Sequence, residues 1–197
     1  MDLHLFGAAP AATMGRQLAG STLGIIGYGS IGRHLAPLGA ALGMDVLVTD
    51  PCATVDVPFS PVPLGTLLRR ADFVVCLAVA NAETENLMDA AAFALMRPDA
   101  FFINVSRGGL VDEAALEAAL REGRLAGAAL DVGRAPDQMP TPGLATLSNV
   151  VATPHIGGLT PPAIEAQALE TVRQVRALLR GEVPTGAVNG DAWSRRL

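Results

Sequence analysis

Short unbroken apolar runs alternate with longer stretches of helical periodicity along most of this chain. Thr22–Ile26, Asp45–Val48, Phe73–Val79, Ala100–Val105, Gly127–Val132 and Val150–Thr153 read as strands. Their apolar positions are continuous rather than alternating, the pattern of strands buried on both faces. Between them, Ile31–Leu42, Leu64–Arg70, Asn86–Met96 and Asp112–Glu122 read as helices, and residues 161–180 form a long amphipathic helix ended by Gly181. Pro98 stops the third helix, and Gly123 lies just past the fourth. The proline-rich stretches 52–63 and 135–143 read as loops. Right-handed crossovers turn this alternation into an α/β fold, a doubly wound parallel sheet with helices on both faces.

Gly27-Tyr28-Gly29-Ser30-Ile31-Gly32 falls between the first strand and the first helix. That is the context in which a G-x-G-x-x-G segment cradles a pyrophosphate, as in Rossmann-type domains. The first glycine permits the tight turn, the second admits the phosphates, and the third lets helix and strand approach. The helix start adds N–H groups and a partial positive charge. By itself the motif reads equally as a plain tight turn. Asp50, ending the second strand, adds a carboxylate suited to ribose hydroxyls and repulsive to a 2′-phosphate, which favours NAD over NADP. As a lone residue, Asp50 also suits a turn before Pro51.

Arg107 follows the fourth strand and His155 follows the sixth. Both therefore fall at the carboxyl edge of the sheet, where open α/β sheets bind ligands. A guanidinium there can bind a carboxylate in a two-pronged grip, and an imidazole can exchange a proton near neutral pH. Taken singly, they read first as a solvated loop arginine and a hydrogen-bonded structural histidine.

Composition narrows the chemistry. The 197 residues include 14 basic residues, every one an arginine, so lysine Schiff-base chemistry is excluded. Net charge is −5, with no basic run to meet nucleic acid or an anionic membrane surface. The three histidines and two cysteines have no metal-ligand spacing, so no metal site is expected. Two cysteines, an acidic start and no apolar run of membrane-spanning length suggest a cytoplasmic location.

Leu23–Gly32, Asn104–Leu120, Gly127–Val132 and Asn149–Gly158 together resemble the NAD-binding domain of D-isomer-specific 2-hydroxyacid dehydrogenases, in the expected order. The Arg-Gly-Gly and Thr-Pro-His-x-Gly-Gly segments carry most of that resemblance. It implies NAD-dependent hydride transfer between nicotinamide and a 2-keto or 2-hydroxy acid. Arg107 would hold the substrate and His155 would exchange the proton. Asp131 would lie near the nicotinamide amide, and Val105 and Ser106 would line its pocket. Gly157 and Gly158 would allow close backbone approach. Thr84 matches the threonine of the cofactor-covering loop, although its position also suits a helix N-cap.

Two departures qualify the resemblance. The family's catalytic glutamate, which sits just before a proline, is replaced by Ala135 before Pro136, with Asp137 the nearest carboxylate. Val79 stands where the family usually has proline. The resemblance also implies a substrate domain ahead of this region. Residues 1–19 read as a leader or interdomain remnant, 20–160 as the NAD-binding domain, and 161–197 as a helix and tail that would pack on a substrate domain. The chain is therefore expected to be incomplete as an enzyme on its own. Otherwise it would serve as a non-catalytic NAD-binding module or a truncated fragment. A homodimer joined near residues 86–96 is expected by family analogy.

Overall fold

The computed structural model describes residues 15–56, 58–187 and 190. The expected leader falls mostly outside the described residues. The chain divides into two compact units, Met1–Pro154 and His155–Leu197. The boundary expected at residue 160 lies a few residues beyond that division.

The first unit contains a seven-stranded, all-parallel sheet in the order β3-β2-β1-β4-β5-β6-β7. Its strands are β1 (Thr22–Ile26), β2 (Asp45–Thr49), β3 (Ser60–Pro61), β4 (Phe73–Cys76), β5 (Phe101–Asn104), β6 (Gly127–Leu130) and β7 (Val150–Ala152). The helices are α1 (Ser30–Ala41), α2 (Leu64–Arg70), α3 (Ala90–Leu95), α4 (Glu113–Arg121) and α5 (Pro142–Ala145). The order reverses between β1 and β4, which creates the crevice expected of a doubly wound sheet.

The apolar runs alternate between two cores. Leu23, Ile25, Val46, Val48 and Val75 pack with Ala36 of α1 on one face. Ile26, Leu47, Val74, Cys76 and Phe102 pack with Leu67, Phe93 and Leu116 of α2, α3 and α4 on the other. This two-sided burial is why the strands read as continuous apolar segments. Gly24 lets α2 approach β1, since a Cβ there would stand 2.5 Å from the Leu67 side chain.

Three expectations need correction. The helix expected over Asn86–Met96 is shortened to α3, Ala90–Leu95. Asn86 adopts a left-handed φ of 54°, which a helix cannot accommodate. Asp89 then caps the shorter helix, accepting the Ala92 N–H at 2.8 Å. The intervening segment pairs with the chain beyond β5: Met88 N–H donates to Leu110 O at 2.9 Å. The proline-rich loop 52–63 contains edge strand β3, a place where proline is tolerated because no ladder donor is required. The end of the second loop begins α5, with Pro142 in its first turn.

In the second unit, α6 (Pro161–Leu179) starts at Thr160, whose side chain accepts the Ala163 N–H. Its apolar residues Ile164, Leu169, Val172, Val175 and Leu179 are all exposed. Among the described residues, no helix is long and apolar enough to cross a membrane.

Candidate cofactor site

Parallel strands all end on one edge, so the loops after β1, β2, β4, β5 and β6 converge there. Gly27 leaves β1 with φ +98°. A Cβ at Gly27 would lie 2.7 Å from the Ala78 backbone nitrogen, so only glycine fits between these two loops. Gly32 faces the same constraint from within α1, where a Cβ would come 2.4 Å from Gly27 O. Gly29 has open space beside it, with no atom within 4 Å of a Cβ position. That leaves bare backbone where a diphosphate can approach the start of α1.

Asp50 is joined to this loop. Its Oδ2 accepts the Tyr28 N–H at 2.7 Å, while Oδ1 accepts the N–H groups of Cys52 and Ala53 at 2.8 and 2.9 Å. Partial burial pushes its pKa up. The three N–H donors, together with the Arg33 guanidinium, outweigh that and hold the carboxyl below its ordinary value. The Asp50 side chain is therefore an anion fixed in direction at the end of β2.

Tyr28 contributes only its backbone here. Its ring is buried, lies edge-on to Phe59, and carries the Arg33 guanidinium 4.6 Å above it. Arg33 in turn pairs with Asp56 and donates to Thr54 O. Ser30 and Ile31 begin α1 on its exposed side.

A cavity of ≈ 640 Å³ opens between these loops, lined by Gly27, Gly29, Asp50, Cys52, Val79 and Thr84, among others. This is within the size range of small-molecule and cofactor clefts. Thr84 is not a helix cap. Its hydroxyl donates to Val79 O at 2.7 Å and accepts the Asn81 N–H at 2.9 Å, closing a tight turn against the cavity. The Asn81 side chain completes that turn by accepting the N–H groups of Glu83 and Thr84. Composition flagged neither Asn81 nor Cys52. The turn tendency of asparagine was the only sequence signal for the former.

Arg107 lies three residues past β5, exposed, with its guanidinium donating to Ser106 O at 2.7 Å. Buried Asn104 anchors its backbone: the amide donates to Arg107 O at 3.0 Å and accepts the Ser106 N–H at 3.1 Å. The Ser106 hydroxyl donates to Ala78 O at 2.7 Å, tying this turn to the cavity wall. Val105 is exposed beside it. Asp131 directly follows β6 and is buried, accepting the Thr153 hydroxyl at 2.7 Å. Thr153 and Asn104 escaped sequence reasoning because both act through another residue.

His155, Gly157 and Gly158 belong to the second unit. His155 holds a left-handed φ of 54°, a conformation that is costly for a bulky residue and recurrent at functional sites. Asp137 occupies the turn after β6, where its Oδ1 accepts the Met139 N–H at 3.1 Å. Among the described residues, no three His, Cys, Asp or Glu side chains cluster as metal ligands would.

Residues 4–157 match the family model for the NAD-binding domain of D-isomer-specific 2-hydroxyacid dehydrogenases. The chain belongs to that family. It is 38% identical, over 93% of its own length and 58% of the relative's, to a protein of Staphylococcus haemolyticus assigned by name to the 2-hydroxyacid dehydrogenases. Its fold is similar to a D-isomer-specific 2-hydroxyacid dehydrogenase of Lactobacillus delbrueckii solved with NAD: TM-score 0.80, 29% identity, 91% of this chain and 60% of that one. An acyclic imino acid reductase solved with NADPH and D-Arg is equally similar, with TM-score 0.82 and 29% identity over 90% of this chain and 57% of that one. The chain thus spans about three-fifths of the length of these relatives. Both nicotinamide cofactors occur among its structural neighbours.

Proposed function

We propose that this chain forms the cofactor half of an NAD-dependent dehydrogenase interconverting a 2-keto acid and its D-2-hydroxy acid. One observation carries the reading: the glycine loop and the anionic Asp50 are locked together by the Tyr28 N–H at the mouth of the cavity. A carboxylate accepts at roughly four lone-pair positions. Three N–H groups already use Asp50, which leaves a site on Oδ2 for one ribose hydroxyl. That negative charge also favours NAD over NADP, whose 2′-phosphate it would repel.

Bound nicotinamide supplies the hydride to C2. The protein's own residues bind and orient the substrate and move the proton. Arg107 presents two N–H groups to the carboxylate and carbonyl oxygen of a 2-keto acid. His155 gives its proton to that oxygen during reduction and takes it back during oxidation. Asp131 would lie near the carboxamide, and Val105 and Ser106 would line that pocket. Thr84 would belong to the loop covering the cofactor, and Gly157 and Gly158 would allow close backbone approach. The reading places the protein in the cytoplasm as a homodimer; sedimentation as a clean monomer would contradict the latter.

The test is NADH-dependent reduction of glyoxylate or hydroxypyruvate, lost in His155→Ala. Absence of turnover across a broad panel of 2-keto acids would refute catalysis by this chain on its own, and unaltered fluorescence at millimolar NADH would refute the cofactor half itself. A second reading, a non-catalytic NAD-binding module, is favoured by the Ala135-Pro136 sequence where the family carries its glutamate. It predicts altered NADH fluorescence without keto-acid reduction.

A further inference from the structure

Arg134 has no part in the chemistry above, yet it sits at the junction of three loops on the carboxyl edge. Its Nε donates to Val111 O at 2.8 Å. One terminal nitrogen donates to Gly109 O at 2.8 Å, pairs with Glu85 at 2.7 Å and reaches the Asn86 side chain. Its backbone N–H donates to Glu113 in the first turn of α4. A single planar fork thus holds carbonyls flanking Leu110, in the short turn that begins just after Arg107.

The backbones meet here too. A Cβ on Gly108 would lie 2.1 Å from Gly133 O, so the loop carrying Arg134 rests directly on the Arg107-Gly108-Gly109 turn. Asn86 adds a second link, its N–H donating to the same Gly109 carbonyl at 2.9 Å. The guanidinium side chain that fixes Gly109 therefore also fixes Asn86, whose left-handed backbone opposes helix extension.

We infer that Arg134 is a positioning residue: it sets the turn that presents Arg107 to a keto acid's carboxylate, and it needs the guanidinium fork to do so. The inference rests on the proposed role of Arg107. A lysine would retain the charge but not the several donors in fixed directions. The diphosphate side is held independently, by Thr84 and Asn81 on one wall and Asp50 on the other. Loss of Arg134 should therefore weaken substrate binding while leaving the cofactor largely unaffected.

The experiment compares wild type with R134Q and R134K. Expected in both variants are a rise of at least tenfold in the KM for glyoxylate, an NADH Kd within twofold of wild type, and an unchanged far-UV spectrum. Unchanged glyoxylate KM, equal weakening of glyoxylate and NADH, or full rescue by R134K would each overturn the inference. Amide hydrogen exchange tests the same claim without turnover. Protection at Asn86, Met88 and Asp112 should fall at least tenfold in R134Q, while Ile25 and Val75 in the sheet stay protected. Unchanged exchange at those three amides overturns the positioning role. An inactive wild type with the expected exchange refutes only keto-acid turnover by this chain on its own.

Discussion

Asp50→Asn removes one charge while keeping shape. The introduced amide can present its oxygen to the Cys52 and Ala53 N–H groups, which Oδ1 accepts now. Its NH2 then faces the Tyr28 N–H, whose hydrogen bond to Oδ2 is 2.7 Å long. Two donors cannot pair, so the glycine loop loses a charge-assisted bond and retains an unsatisfied N–H. A hydrogen bond to a charged group contributes about 1.5–3 kcal/mol. In a unit of this size each kcal/mol moves Tm by roughly 2–4 °C, so a fall of about 3–12 °C is expected.

The same NH2 occupies the only acceptor position left for ribose. Losing that bond raises the NADH Kd by at least about tenfold, the equivalent of about 1.4 kcal/mol. Removing the anion also relieves repulsion toward a 2′-phosphate, so NADPH should lose much less affinity than NADH. Titration of nicotinamide fluorescence with each cofactor, alongside a thermal melt, reads all three quantities. If NADH affinity stays within twofold of wild type while Tm falls, Asp50 serves the loop alone. An unchanged ratio of NADH to NADPH affinity would refute its role in cofactor choice.

Gly32→Ala should cost at least about 2 kcal/mol, because a Cβ 2.4 Å from Gly27 O forces α1 off β1; urea denaturation measures it. In a thiol-reagent titration near pH 8, exposed Cys52 should react and buried Cys76 should not, since burial pushes the Cys76 thiol up to about 11. NADH should slow the Cys52 reaction, because Cys52 lines the cavity. Asp50 is held below its ordinary pKa of about 3.9, so its stabilising contribution is complete above that value and lost only as pH falls through the lower folded value. Stability from this group should therefore be flat from pH 5 to 8 and fall in Asp50-dependent fashion only below about pH 4, which denaturation of wild type and D50N at each pH would check.

Much of the sheet was legible because burial on two faces produces continuous apolar runs, and those runs are the strongest local signal in the chain. β1, α2 and the start of β4 fall where the hydrophobic pattern puts them. The helix expected from Asn86 failed over residues 86–89 for an identifiable reason. Asn86 to Met96 has helical periodicity, but Asn81 and Asn86 spend their side chains on turns and on Arg134, and the backbone of 86–88 pairs with residues 109–111. Those partners lie more than 20 residues away, and no short window contains them. β3 was invisible because two residues, one a proline, carry no period.

Most of the candidate site was legible because its residues follow closely on the strand ends. Gly27 and Asp50 follow β1 and β2 directly, Asp131 follows β6, and Arg107 comes three residues past β5; all are residues whose type limits what they can do. Asn104, Thr153 and Arg134 are as close to the edge, yet each works by holding another residue. Asparagine, threonine and arginine in such positions have many ordinary uses, so type and spacing do not separate them from the rest of the surface. Arg134 makes the difference plain. On sequence it merely stands two residues short of a proline, in a segment distinguished by the glutamate it lacks. In the fold it reaches the carbonyls of Gly109 and Val111 and the side chains of Glu85 and Asn86, from two other loops. The segment that carries Ala135 before Pro136 thus holds the turn after Arg107 through Arg134, which is why keto-acid binding, rather than proton transfer, is the property its substitution should move.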